Sequence, residues 1–319
     1  MPFIRRIIIV FLCVFGLFTL LAACNKSRPL VVGLSPWIGY ETIYLAQNLN
    51  WLPADVQLFE TADLSGTAHA LRSGKIDAAC ITLDEVLNLR AVGIPLTVVL
   101  VFDVSAGADV VLARSTVHQL SDLKGKRIGI EQNTLGALML TKLLSAAGLE
   151  HSQVTVVDCP AEKQVEAWQN NEIDAVITYG PTVPLLQRQG GVCIFDSRHM
   201  ADTVFDVLAV NTAHTELSSV ALEKLVAAHF RALKHLQTNR QDAIFRIAAH
   251  LGTTPEEANL ALAGVMLPSL AANYEYLVSG SGRITKSSAE FSTLMLQHGL
   301  LKVSDSLENI ATSACLPRD

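Results

Sequence analysis

One pattern occurs twice in this chain, and it constrains the fold more than any other feature. Lys75-Ile76-Asp77-Ala78-Ala79-Cys80-Ile81-Thr82 is matched almost letter for letter by Glu172-Ile173-Asp174-Ala175-Val176-Ile177-Thr178. The segments around each copy follow the same order. In the first, Leu30–Leu34 reads as a strand, then come a helix through Leu45, the alternating run Val56–Glu60, and a helix over Leu64–Ser73. After the matched strand, a helix leads to Leu96–Asp103. In the second, Arg127–Glu131, a helix to Ala147, Val154–Asp158, a helix near Lys163–Asn170 and the matched strand lead through another helix to Val192–Asp196.

Strands that alternate with helices imply parallel sheets with helices on both faces. Two copies imply two such lobes. Right-handed crossovers bring the C-terminal ends of the strands to one edge, the edge where open α/β sheets hold ligands. The expected fold class is therefore α/β, with two mostly parallel sheets flanked by helices and a ligand cleft between them. Ala108–Ala113 and Phe205–Val210 follow the two copies at equivalent places and read as strands that cross between lobes. The C-terminal third is helical, with an apolar stripe over Leu217–Leu236, a stop at Gly252 and a capping box at Thr254-Pro255-Glu256-Glu257. Gly280-Ser281-Gly282 reads as a flexible loop.

The N-terminus is different. Arg5 and Arg6 precede an uncharged run from Ile7 to Leu21, too short for a membrane span and matched to a secretory signal. Leu21-Ala22-Ala23-Cys24 resembles the bacterial lipobox, in which Cys24 is acylated and cleavage falls before it; an ordinary signal followed by an incidental cysteine is the alternative. The expected organisation is a signal at 1–23, a short tether at 24–29, a first lobe of 30–104 plus 205–319, and a second lobe of 105–204. Lipid on Cys24 would hold a monomer at the periplasmic side of a bacterial membrane. Loss of Arg5 and Arg6 takes the net charge from −6 to −8. That charge, without a Lys/Arg run, excludes a nucleic-acid binder. Six cysteines are too few for a disulfide scaffold. Cys80, Cys159 and Cys193 lie in apolar strand-like runs and read as buried thiols.

Several motifs together resemble one family. The lipobox, Trp37-Ile38-Gly39-Tyr40-Glu41 after a strand, the Gly74–Ala78 turn, and Leu123-Lys124-Gly125-Lys126-Arg127 are similar to those of periplasmic solute-binding proteins of ABC importers. These NMT1-like proteins serve nitrate, sulfonates, taurine and thiamine-precursor pyrimidines. The resemblance covers about residues 29–300. It implies a two-lobe clamp of the periplasmic-binding-protein kind (type II-like) that closes on a small solute and presents it to a permease and its ATPase. A lipoprotein that reports to a membrane sensor is the alternative.

Duplication and sheet geometry nominate the solute-holding positions. They lie in the loops Ser35–Thr42, Thr82–Glu85, Asp103–Gly107, Glu131–Leu135 and Thr178–Pro181, with Asp109 and Asp206 at the crossing strands. The candidates are Trp37, Gly39, Tyr40, Glu41, Thr82, Asp84, Asp103, Ser105, Asp109, Glu131, Thr134, Thr178, Tyr179 and Asp206. Trp37 and Tyr40 either stack on a flat solute or cover the first lobe's core. Asn133 and Thr134 could cap the helix that follows, and free N–H groups there could hold an anion; for Asn133 plain capping is the favoured reading. Acidic residues gather at these ends while Lys and Arg are nearly missing there, so the expected solute offers amine or ring N–H donors, as an aminopyrimidine does. The alternative for Asp103, Asp109 and Asp206 is local hydrogen bonding in hinge loops. Asp77 and Asp174 sit at the opposite edge and read as structural.

No enzyme motif is present: GxSxG, GxGxxG, the P-loop, HExxH and CxxC are all missing. A pyrimidine synthase of the same fold carries a CCCFC motif that this chain lacks, and His69 reads as a solvent-facing helix residue. No catalytic residue, cofactor or metal is expected.

Overall fold

A computed structural model describes residues 28–132, 134–200 and 204–318. The signal, Cys24 and Asn133 lie outside the described residues.

Two sheets are present. The first contains β1 (Leu30–Leu34), β2 (Val56–Glu60), β3 (Ala78–Thr82), β4 (Leu96–Ser105), β10 (Phe205–Asn211) and β11 (Val265–Met266). Its order is β11-β4-β10-β3-β1-β2. The second contains β5 (Val110–Ala113), β6 (Arg127–Ile130), β7 (Thr155–Asp158), β8 (Ala175–Thr178) and β9 (Val192–Asp196), ordered β7-β6-β8-β5-β9. The helices are α1 (Glu41–Asn48), α2 (Leu64–Arg72), α3 (Leu83–Ala91), α4 (Thr134–Ala147), α5 (Gln164–Gln169) and α6 (Thr182–Arg188). Beyond β10 they are α7 (Val220–Thr238), α8 (Arg240–Leu251), α9 (Pro255–Ala263), α10 (Leu270–Tyr276) and α11 (Arg283–Gln297).

The duplication reaches the level of single atoms. Asp77 Oδ2 accepts from Val31 N at 3.0 Å, and Asp174 Oδ2 accepts from Arg127 N at 2.9 Å. Each thus pins the start of the strand that opens its copy of the repeat, β1 or β6, which makes the pair structural. Gly33 and Gly129 also correspond. A Cβ would lie 2.3 Å from Ile76 Cδ1 at the first and 3.1 Å from Ile173 Cδ1 at the second, so each repeated Ile packs on a bare backbone.

The crossing strands complete the pattern. β10 lies antiparallel between β3 and β4, and β5 lies antiparallel between β8 and β9, the same slot in each sheet. Each lobe thus receives one strand from the chain that has just left the other. The two crossings run side by side, with Ser105 N donating to Val204 O and Ser197 N donating to Asp109 O, both at 2.9 Å. β3 and β4 are buried along their whole length, which is why they read as unbroken apolar runs. The C-terminal helices pack on the first sheet's side, where α1 meets α7 and α8. Gly252 ends α8 in the left-handed conformation, and the Thr254–Glu257 capping box opens α9.

Three expectations change. Cys193 is exposed, because β9 is an edge strand with its outer end in solvent, whereas Cys80, Cys159 and Cys315 are buried. Cys159 lies just past β7 and not inside it. The Gly280–Gly282 loop is a tight turn: Gly282 is buried, and a Cβ there would lie 2.4 Å from Tyr276 O. His69 is exposed on α2, as expected.

Candidate functional site

The chain after β1 turns through a short 3-10 helix, Ile38–Tyr40, and this turn delivers both aromatic candidates to buried carboxylates. Trp37 Nε1 donates to Asp103 Oδ2 at 2.9 Å, and Tyr40 OH donates to Asp206 Oδ1 at 2.5 Å. Asp103 and Asp206 are cross-strand partners on β4 and β10, next to a register shift between Asp206 and Val207. Asp103 had been expected at a strand end; β4 continues to Ser105 and holds it inside the sheet. Gly39 has no side chain because Asp103 occupies its space, 1.6 Å from where a Cβ would sit.

Four aspartates crowd this region: Asp84, Asp103, Asp109 and Asp206 are all at most 3% exposed. Among the described residues no ion pair joins any of them to Lys, Arg or His. Burial pushes Asp84 up to about 7, with the neighbouring Glu85 charge adding to it. Burial likewise raises Asp109 to about 6, opposed by a hydrogen bond from Ser105. Asp103 and Asp206 both rise through burial above all; the Asp103 charge pushes Asp206 up further, and the Asp109 charge adds to the rise of Asp103 against the pull of the Trp37 hydrogen bond. Asp109 Oδ2 and Thr82 Oγ1 are buried without a hydrogen-bond partner of ordinary geometry.

Trp37, Tyr40, Thr82, Asp109, Tyr179 and Asp206 surround a cavity of about 20 Å³. That is room for one water- or ammonium-sized group. Ser35, Pro36, Leu64 and Leu135 complete its wall. Sequence reasoning had put Ser35, Pro36 and Leu135 in the right loops without singling them out, and had missed Leu64, the first residue of α2. The aromatic rings are engaged edge-on: Trp37 meets Tyr179 at 5.9 Å and 80°, and Tyr40 meets Phe102 at 5.3 Å and 68°. Tyr40 therefore belongs to the core through its ring and to the cavity through its hydroxyl.

The other candidates surround this centre. Glu131 accepts from Tyr179 OH at 2.9 Å and from Ser65 across the cleft. Thr134 donates to Glu85 at 2.9 Å. Ser105 bonds Ser197 at 2.7 Å between the crossing segments, and Thr178 ends β8 opposite Val110. Glu41 turns away. Its carboxylate meets His250 Nδ1 at 2.9 Å, and the two line a separate cavity with Tyr44 and Arg246. Burial pushes Glu41 up against the pull of His250, while that same bond raises His250.

Two sheets joined by paired crossings, with the site between their strand ends, define a two-lobe α/β binding fold of the periplasmic binding-protein class. A family model described as NMT1/THI5 like matches residues 39–243, and the chain belongs to that family. The taurine-binding periplasmic protein of Escherichia coli is 24% identical over 124 residues, 39% of each chain, so the match spans well under half of that relative. Among solved structures, the periplasmic aliphatic sulphonate binding protein of Escherichia coli superposes with a TM-score of 0.71 at 16% identity, covering 90% of this chain and 92% of its own. The periplasmic nitrate-binding protein of Synechocystis PCC 6803 gives 0.68 at 11% identity, covering 88% and 83%. Among the described residues no helix is long and apolar enough to cross a membrane.

Proposed function

We propose that this chain is an extracytoplasmic solute-binding protein of an ABC importer, without catalytic activity, and that it captures a small solute bearing amine or ring N–H donors. Its first lobe comprises 30–104 and 205–319, its second 105–204, and lipid on Cys24 anchors a monomer beside its permease and ATPase. Family membership and the likeness to periplasmic binding proteins support the class.

The solute chemistry rests on one observation: the buried Asp109 and Asp206 line the cavity, Asp84 and Asp103 are buried near them, and none of the four has a cationic partner among the described residues. An ammonium or ring N–H seated there would meet Asp109 Oδ2 and the Asp206 carboxyl and offset the cost of burying them. The cavity admits an ammonium-sized group as it stands; an aminopyrimidine ring would need the lobes to part and close again around it. Taurine also carries an ammonium, so the relative's printed ligand fits this chemistry at one end.

Native mass spectrometry of protein lacking residues 1–23 tests the reading by identifying any retained solute. Calorimetry with aminopyrimidines, simple amines, taurine and nitrate then ranks the classes. Binding of amine-bearing compounds is expected; tight nitrate binding with none for pyrimidines, simple amines or taurine overturns it.

A further inference from the structure

Two glutamates cross the cleft in opposite directions. Glu131, from the loop after β6 in the second lobe, places Oε1 3.0 Å from Ser65 Oγ and 3.3 Å from Ser65 N. Ser65 lies in the first turn of α2, in the first lobe. Glu85, from the first turn of α3 in the first lobe, accepts at 2.9 Å from the hydroxyl of Thr134, the first residue of α4 in the second. Both carboxylates are buried.

The first turn of a helix carries free N–H groups and the positive end of the helix dipole, and so attracts anions. α2 and α4 are nine and fourteen residues long, and both begin at the cavity, where Leu64 and Leu135 form part of the wall. At α2 the first-turn Ser65 N already donates to Glu131 of the opposite lobe, and at α4 the Glu85 carboxylate of the opposite lobe stands against the Thr134 hydroxyl. Asp63 adds a second carboxylate at α2, accepting from Gly66 N at 2.7 Å.

We infer that Glu85 and Glu131 determine the charge class of the solute, by occupying from within the two helix N-termini that an anionic solute would otherwise use. The inference rests on the proposed solute-binding function. It goes beyond it in naming the residues that reject anions and in predicting that their removal admits them. At α2 the backbone donors that an oxyanion needs are spent on Glu131 and Asp63, and at both helices a carboxylate stands where its charge would lie. A cationic group is unaffected by the loss of those donors and is attracted by the same charges.

Calorimetry with methanesulfonate, nitrate and methylamine on wild type, Glu131→Ala and the double variant Glu85→Ala/Glu131→Ala tests this. Wild type should give no measurable methanesulfonate or nitrate binding. The variants should gain at least about tenfold in affinity for these anions, as expected from exposing a helix N-terminus and removing a charge. Methylamine affinity should fall or stay unchanged. Glu290→Ala removes an equal charge from an exposed position on α11 and should gain nothing. Glu131→Gln keeps the side-chain shape and serves if the alanine variants fail to fold; it should show the same gain in weaker form.

Folded variants that still bind methylamine yet gain no anion binding overturn the inference and leave the amine reading standing. Tight methanesulfonate binding by wild type overturns the inference directly. If wild type binds neither class, the proposed function fails and takes the inference with it.

Discussion

The indole N–H of Trp37 lies 2.9 Å from Asp103 Oδ2, and the backbone of Gly39 passes so close that a Cβ there would meet the same oxygen at 1.6 Å. Two residues of one turn thus depend on one carboxylate, which lies sixty-six positions from Trp37. Gly39→Ala should break the Trp37–Asp103 bond and cost about 1–3 kcal/mol, the usual penalty of overpacking a close-packed site. Urea denaturation followed by tryptophan fluorescence measures this, and an unchanged midpoint would contradict the geometry.

The raised aspartates make ligand-free stability depend on pH with a definite sign. Asp109 at about 6 and Asp84 at about 7 bind protons in the folded state that the unfolded chain has already released. Their contribution is full below the unfolded carboxylate value and is lost as pH rises through those folded values. From these groups Tm should fall between about pH 4 and about pH 7. A calorimetric Tm series checks it, and Asp84→Asn/Asp109→Asn should flatten the slope. Binding of an ammonium solute should tighten over the same interval, since the ionised carboxylates receive it.

Asp206→Asn separates stability from recognition. It removes a buried ionisable carboxyl that faces Asp103 while keeping a side chain of the same size. Amine affinity should drop by about 1.5–3 kcal/mol, the range for hydrogen bonds to charged groups. Thermal stability of the unliganded protein should rise. A variant that loses stability and keeps affinity would place the recognition of the solute elsewhere.

Thiol chemistry reports on the edge of the second sheet. Cys193 is exposed on β9, whereas Cys80, Cys159 and Cys315 are buried; burial pushes Cys159 and Cys315 up to about 11 and raises Cys80 well above the ordinary thiol range. In protein lacking residues 1–24, a disulfide reagent at neutral pH should modify one thiol quickly and the other three only on unfolding. Several thiols reacting at similar native rates would contradict the packing.

The repeated Ile-Asp turn made the architecture legible before any coordinates. Ile76 over Gly33 and Ile173 over Gly129 are local in pattern, and strand–helix alternation leaves few ways to connect them. The crossing strands could also be read, because each follows its copy at the same interval. The direction of the Glu41 side chain could not be read. Glu41 stands beside Tyr40 in the chain, but the start of α1 rotates its carboxylate toward His250 and away from the cavity. Cys193 was misplaced because an apolar run does not distinguish a central strand from an edge.

By itself, then, the sequence determined two lobes, the edge at which their strands end, and a shortage of cations there, since these follow from periodicity, handedness and residue type. The tertiary structure alone decided which acids share a space. The opposition of Asp103 and Asp206 depends on the register of antiparallel strands about a hundred residues apart. The exchange of Glu85 and Glu131 between helix N-termini depends on how one lobe closes on the other. Neither relationship is local in the chain, and a one-residue change in strand pairing would turn each strand's side chains to the opposite face.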